Sequence, residues 1–228
     1  MFEIAKEVCP EIERHISTQA NNTNYATYNF WYRQGASRVV SARELSLKEI
    51  KEIRERIPED LEIETFVHGA MCISYSGRCL LSSYMTGRDS NRGTCAQSCR
   101  WKYSLVEEKR PNEYFPIEED QHGTYIMNSK DLCMIEHLPE LLEAGISSLK
   151  IEGRMKNVTY AAYVTSVYRH YVDEYIKYGR KGYKVTKKDI DNLCDIYNRG
   201  SFTTGFYNSK KGKEMMSYER PNHRGSEA

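Results

Sequence analysis

Four cysteines, Cys72, Cys79, Cys95 and Cys99, fall within one short stretch whose other residues are largely glycines, arginines and hydroxyl side chains. Thiols gathered this densely either cross-link a secreted domain or hold a metal centre, and the redox compartment decides which. The amino terminus, MFEIAKEVCPEIERH, lacks an apolar run of signal-peptide length, and no stretch approaches the ~18 apolar residues of a membrane span. The expectation is a cytoplasmic protein with no membrane association and a metal site in place of disulfides. An odd count of seven cysteines points the same way. Six residues separate Cys72 from Cys79, three separate Cys95 from Cys99, and fifteen lie between the pairs. Structural zinc favours about two to four residues between paired ligands, which suits only the second pair. An iron–sulfur cluster is larger and accepts wider loops. Spacing puts iron–sulfur first, zinc second and inert buried thiols third.

The residues around the thiols extend the chemistry. Gly69, Gly77, Gly87 and Gly93 suit the tight turns of a chain folded around a cluster. Arg78, Arg88, Arg92 and Arg100 either balance thiolate charge or bind an anionic substrate bidentately, and the second reading is preferred. Lys150, Glu152 and Arg154 alternate with period two at the end of a predicted strand, so they project together; a catalytic or anion-binding role and a plain Lys150–Glu152 ion pair are both open. Gln19, Asn21, Arg43 and His68 stand at equivalent strand ends, as substrate ligands or simple caps. Cys9, Cys133 and Cys194 lie on predicted helices and read as buried thiols. Neither a zinc-protease helix motif nor a nucleophile elbow is present. Ser147 and Lys150, the one serine–lysine spacing, would face opposite sides of a strand.

The elements that must position these groups follow a βα rhythm. Short apolar runs at 15–17, 38–40, 62–67 and 148–151 each end in polar residues. Helices are expected at 2–8, 24–34 (stopped by Gly35), after a Ser46/Glu49 capping box, at 132–143 (stopped by Gly145) and at 158–178. Between the third run and the 132–143 helix lies an insertion, residues 69–128, that begins with the cysteines and ends in a predicted β-hairpin turning near Gly123. Residues 1–178 therefore read as an α/β unit, the C-terminal half of a (βα) TIM-like barrel, followed by a basic helical and loop tail at 179–228. A smaller open α/β sheet is the alternative. A half-barrel leaves unpaired strand edges, so association with an N-terminal half-barrel partner or with further copies is expected.

Composition is that of an ordinary folded protein, with 39% hydrophobic and 29% charged residues. From Ile176 onward there are 12 Lys and Arg against 6 Asp and Glu, while the earlier part holds 21 against 26 of the chain's 33 and 32. The basic tail, interleaved with Tyr183, Tyr197, Phe202, Phe206, Tyr207 and Tyr218, is either a solvated surface or a nucleic-acid contact.

The runs ETFVHGAMCISYSGRCLLS (64–82), RDSNRGTCAQSCRWKY (88–103), NSKDL (128–132) and SLKIEGRMK (148–156) closely resemble the signature of the peptidase U32 family, also called collagenase-like proteases. STQAN (17–21) and TTGFY (203–207) extend the likeness over nearly the whole chain, and the presence of both cysteine pairs resembles the family's tRNA-hydroxylating branch. The resemblance implies an enzyme that converts the wobble uridine of tRNA to 5-hydroxyuridine without oxygen, with prephenate as the hydroxyl source, and a 4Fe-4S cluster held by Cys72, Cys79, Cys95 and Cys99. On that reading Lys150, Glu152 and Arg154 are catalytic, and Gln19, Asn21, Arg43, His68, Arg88 and Arg92 bind substrate. A collagenase-like peptidase and a non-catalytic fragment or partner subunit are the alternatives. The resemblance also implies a further amino-terminal half-barrel and usually a small carboxy-terminal domain, both expected to be absent or truncated in this sequence.

Overall fold

A computed structural model describes residues 1–101, 103–106, 108–109, 114–116, 128–154, 156–208 and 215–217. One sheet carries the architecture. Strands β1 (His15–Ile16), β2 (Arg38–Val40), β3 (Glu62–Ala70) and β7 (Ser148–Glu152) lie side by side and parallel, in chain order. Glu64 pairs with both Val40 and Ser148, which places β2 and β7 on opposite edges of β3. β6 (Asp131–Cys133) joins the far end of β3 in the antiparallel sense, and β8 (Phe202–Thr203) joins β6 in parallel. A second, two-stranded sheet pairs β4 (Ser104–Val106) with β5 (Tyr114–Pro116).

The expected parallel βα rhythm is present, and among the described residues the sheet is open, with no closure into a barrel. Residues 132–143 are also not one helix. Leu132 and Cys133 belong to β6, Ile135–His137 form a 3₁₀ turn, and only Leu138–Glu143 forms an α-helix, α5, with Pro139 in its first turn. The free edge of β3 at His68–Ala70 recruits this segment as a strand, a tertiary demand that overrides the helical pattern. Cys133 consequently sits on a strand. The hairpin turn expected near Gly123 lies outside the described residues.

Helix ends follow the sequence signals. Asn24 Oδ1 accepts from the amides of Ala26 and Thr27 to open α2 (Tyr25–Gln34), and Gly35 closes it at φ 96°. Ser46 and Glu49 form the capping box of α3 (Leu47–Arg54). Asn157 caps α6 (Val158–Gly182), whose Tyr160, Val164, Val167, Tyr168 and Tyr171 make one buried stripe. The Tyr168 hydroxyl donates to Val67 O at 2.8 Å and accepts from the Met134 amide at 3.2 Å, joining α6 to β3 and to the residue that follows β6. The remaining helices are α1 (Phe2–Val8), α4 (Leu81–Thr86) and α7 (Lys187–Ile196).

At Gly69, φ is +97° and a Cβ would collide with the carbonyl oxygen of Glu152 across the β3–β7 pair. Only glycine lets the two backbones meet there. Gly69→Ala should therefore lower the unfolding free energy by about 3 kcal/mol, combining left-handed strain with overpacking. Urea denaturation of the two proteins measures the difference.

Candidate functional site

The carboxyl ends of β1, β2, β3 and β7 open onto a cavity of about 410 Å³, and the segment from Cys72 to Trp101 folds over it as a cap. Cys72, Cys79, Cys95 and Cys99 all line this cavity, and all seven cysteines of the chain are free thiols. Burial pushes the Cys99 thiol up, Arg100 opposes this, and Cys72, Cys95 and Cys79 push it further, so the other three sulfurs lie within electrostatic reach of Cys99. The Gln97 amide donates to Cys95 Sγ at 3.3 Å, from a backbone held in the left-handed region at φ 57°. The donor set is all sulfur, which suits a soft metal or an iron–sulfur cluster. Among the described residues no three Cys, His, Asp or Glu side chains are gathered in the arrangement of a single-ion site.

The cavity wall is also cationic. Arg43, Arg92, Arg100, Lys150 and Arg154 line it, with Glu152 as the one carboxylate among its described lining residues. Phe66 forms part of the floor, with the Arg43 guanidinium 5.1 Å and the Lys150 ammonium 5.5 Å from its ring centroid. Lys150 pairs with Glu64 at 2.8 Å, not with Glu152. Ser148 also donates to Glu64 at 2.9 Å. Burial pushes the Glu64 carboxyl up, but the hydrogen bonds from Lys150 and Ser148 and the charges of Lys150 and Arg38 outweigh it and hold the group below its ordinary range.

The cap is fastened by close backbone approach. Gly77, at φ +72°, lies against the carbonyl of Gln19, and Gly93, at φ +81°, lies under the Arg154 guanidinium, which donates to Gly93 O at 2.5 Å. Glu44 accepts from the Ser76 hydroxyl at 2.9 Å and from Asn21 Nδ2 at 2.7 Å. Asn21 thus positions the cap through Glu44. Gln19, Arg43, Arg92, Lys150, Glu152, Arg154 and the four cysteines come together on the cavity; Asn21 and His68 do not line it, and Arg88 is exposed on the cap's outer side.

His68 lies in the core, 1% exposed, its Nδ1 3.3 Å from the Tyr168 hydroxyl and its ring packed on Tyr168 and Phe202. Tail aromatics likewise turn inward: the Tyr207 hydroxyl donates to Phe66 O at 2.6 Å, Tyr183 donates to Ile135 O, and Tyr197 packs against Tyr160. Tyr218 lies outside the described residues.

Sequence reasoning missed a second layer behind the thiols. Arg199, 2% exposed, pairs with buried Asp131 at 2.6 Å and donates to Gln97 Oε1 at 3.2 Å, which also accepts from Arg100 at 2.5 Å. Arg100 donates onward to Met71 O at 2.8 Å. Burial, with Arg199 beside it, pulls the Lys156 ammonium down to about 7. Arg199 sits in a turn-like Asn-Arg-Gly-Ser run, and nothing local marks it as buried.

A family model described as "Peptidase family U32" matches residues 1–217. The chain belongs to the peptidase U32 family. It is 44% identical over 216 residues to "tRNA hydroxylation protein P1" of Bacillus subtilis, covering 95% of this chain and 50% of that protein. It is 40% identical over 255 residues to "tRNA hydroxylation protein P" of Escherichia coli, covering 95% and 55%. A 23S rRNA 5-hydroxycytidine synthase of E. coli is 33% identical over 217 residues, covering 93% and 32%. This U32 chain therefore spans about half the length of the curated relatives it matches first. No solved structure matches it. No helix among the described residues is long and apolar enough to cross a membrane.

Two consequences are measurable. Burial holds the His68 imidazole at about 3 in the folded protein, against 6.5 when exposed. The unfolded chain then binds one more proton between those values, so the stability His68 confers is full above about 6.5 and is lost as pH falls toward 3. Unfolding free energies should drop by up to about 1.4 kcal/mol per pH unit in that window, and His68→Gln should flatten the slope. Arg199→Ala, which strands a buried carboxylate, should cost about 3–5 kcal/mol by chemical denaturation, with Arg199→Met combined with Asp131→Asn recovering most of it.

Proposed function

We propose that this U32 chain hydroxylates RNA, converting the wobble uridine of tRNA to 5-hydroxyuridine without oxygen and with prephenate as the hydroxyl source. The observation that carries the reading is the meeting of four thiols and a cationic wall on one cavity at the strand ends. The names of the relatives, tRNA hydroxylation proteins and an rRNA hydroxycytidine synthase, support the substrate class.

Cys72, Cys79, Cys95 and Cys99 would hold a 4Fe-4S cluster. Their all-sulfur character fits it, and the wide loop between Cys72 and Cys79 suits a cluster better than a single zinc. Such a cluster supplies one-electron chemistry when bound. The protein's own part is positional. Arg43, Arg92 and Arg154 face an anionic donor with planar, bidentate guanidinium groups, and prephenate carries two carboxylates. Glu64 fixes the Lys150 ammonium at the cavity floor, ready to meet a carboxylate without reorganisation. Glu152 is the group available to take or give a proton at the reacting base. The outer edges of β1 and β7 have no strand partner among the described residues, and these are where an N-terminal half-barrel, or a further copy, would extend the sheet.

The peptidase reading draws no support from this cavity. Its described lining includes no histidine to activate a serine or cysteine, and His68 is buried elsewhere.

Mass spectrometry of tRNA nucleosides from a strain lacking the gene and any paralogue should show 5-hydroxyuridine lost and restored by the intact gene. Glu152→Gln should lower the hydroxylation rate by about a hundredfold or more. Unchanged 5-hydroxyuridine in the deletion strain contradicts the proposal.

A further inference from the structure

The cap over the thiols has an outer face with an unusual composition. Four large apolar side chains on it are open to solvent, Leu80, Tyr84, Met85 and Trp101, and two more, Ile73 and Tyr75, are exposed where the cap meets the cavity. Tyr84 is 87% exposed, Tyr75 70% and Leu80 68%, which is wasteful for a surface that touches only water. Leu80 and Tyr84 stand one turn apart at the start of α4, where the Tyr84 amide donates to Leu80 O at 2.9 Å. The helix turns Ser82 inward, to donate to Arg88 O at 2.7 Å, and so leaves Tyr84 outward. Trp101 follows the 3₁₀ turn Ser98–Arg100, which packs against α4.

The same segment is also cationic. Cys72 to Trp101 holds Arg78, Arg88, Arg92 and Arg100 against Asp89 alone, in a chain whose 33 basic and 32 acidic residues otherwise nearly balance. Arg78 and Arg88 are exposed and have no ion-pair partner among the described residues. Arg92 is 84% exposed, with Asp89 at 3.3 Å. Tyr75 and Arg92 also line the cavity, so the face runs continuously from the outside of the cap to the mouth of the site.

Exposed aromatic rings interspersed with unpaired arginines are what unpaired nucleotides need: faces for base stacking and charge for the phosphates between them. A protein partner would seat on the apolar side chains but would leave Arg78 and Arg88 without counter-charges unless it were acidic. The tail, by contrast, spends its described aromatics on the core. We infer that the outer face of the cap, centred on Tyr84, Trp101 and Arg88, is a docking platform for an unpaired RNA loop, delivering the reacting base past Tyr75 and Arg92 into the cavity. The inference rests on the RNA-modifying function proposed above and assigns where the RNA sits.

The test is fluorescence anisotropy with the unaltered protein and a labelled RNA stem-loop bearing unpaired uridines, against a blunt duplex of equal length. The stem-loop should bind more tightly. Tyr84→Ala and Trp101→Ala, both at exposed positions, should each weaken it about tenfold without moving the thermal midpoint. Arg88→Ala should reduce the slope of log affinity against log salt by about 0.7–1. Stem-loop affinity unchanged by all three substitutions overturns the platform while leaving the RNA-modifying function standing. So does a change in self-association with RNA affinity intact, which would make the face a protein contact. Failure of the unaltered protein to bind any RNA overturns both.

Discussion

The cap that carries the thiols has no hydrophobic core of its own. The only residues fully buried between Cys72 and Trp101 are Ser76, Ser82 and Ser98. The segment is held over the strand ends by polar contacts and by backbone approach at Gly77 and Gly93, while its large apolar side chains point outward. A segment built this way gains little from burial, and a group held by its four sulfurs, as proposed, would supply the missing cross-link. The location of the cavity, the cationic wall and the exposed face all follow from that constraint.

Behind the thiols, charge is arranged in layers. Arg100 and Arg199 converge on Gln97 between Cys95 and Cys99, and Asp131 neutralises Arg199. One guanidinium thereby ties the cap to Met71 and the other ties it to β6 and the tail. The tail beyond α6 is part of the site's scaffold: it adds β8 to the sheet and sends Arg199 and Tyr207 inward.

Strand ends were legible in the sequence because short apolar runs stop at polar residues, and four such ends converge on the cavity as the βα rhythm requires. The Ser46/Glu49 box and Gly35 stop likewise carried their meaning locally. What could not be read depends on partners distant in the chain. Leu132 and Cys133 become strand only because β3 runs past β2 and leaves an edge free. His68 resembles a strand-end ligand, yet the bulge between Phe66 and His68 and the arrival of Tyr168 and Phe202 place it in the core. A Lys150–Glu152 ion pair is one of two readings the spacing leaves open, and Glu64 on the adjacent strand is the counter-charge Lys150 meets instead. Asp131 and Arg199 are 68 residues apart and have no shared pattern to announce their pairing.

The central claim is that the four sulfurs together hold one iron–sulfur cluster. Anaerobic purification followed by visible absorption and by iron, sulfide and zinc analysis tests it most directly. The account predicts a brown protein with iron and acid-labile sulfide in equal amounts, both lost when any one of Cys72, Cys79, Cys95 or Cys99 is replaced by serine. A colourless protein carrying stoichiometric zinc would contradict it.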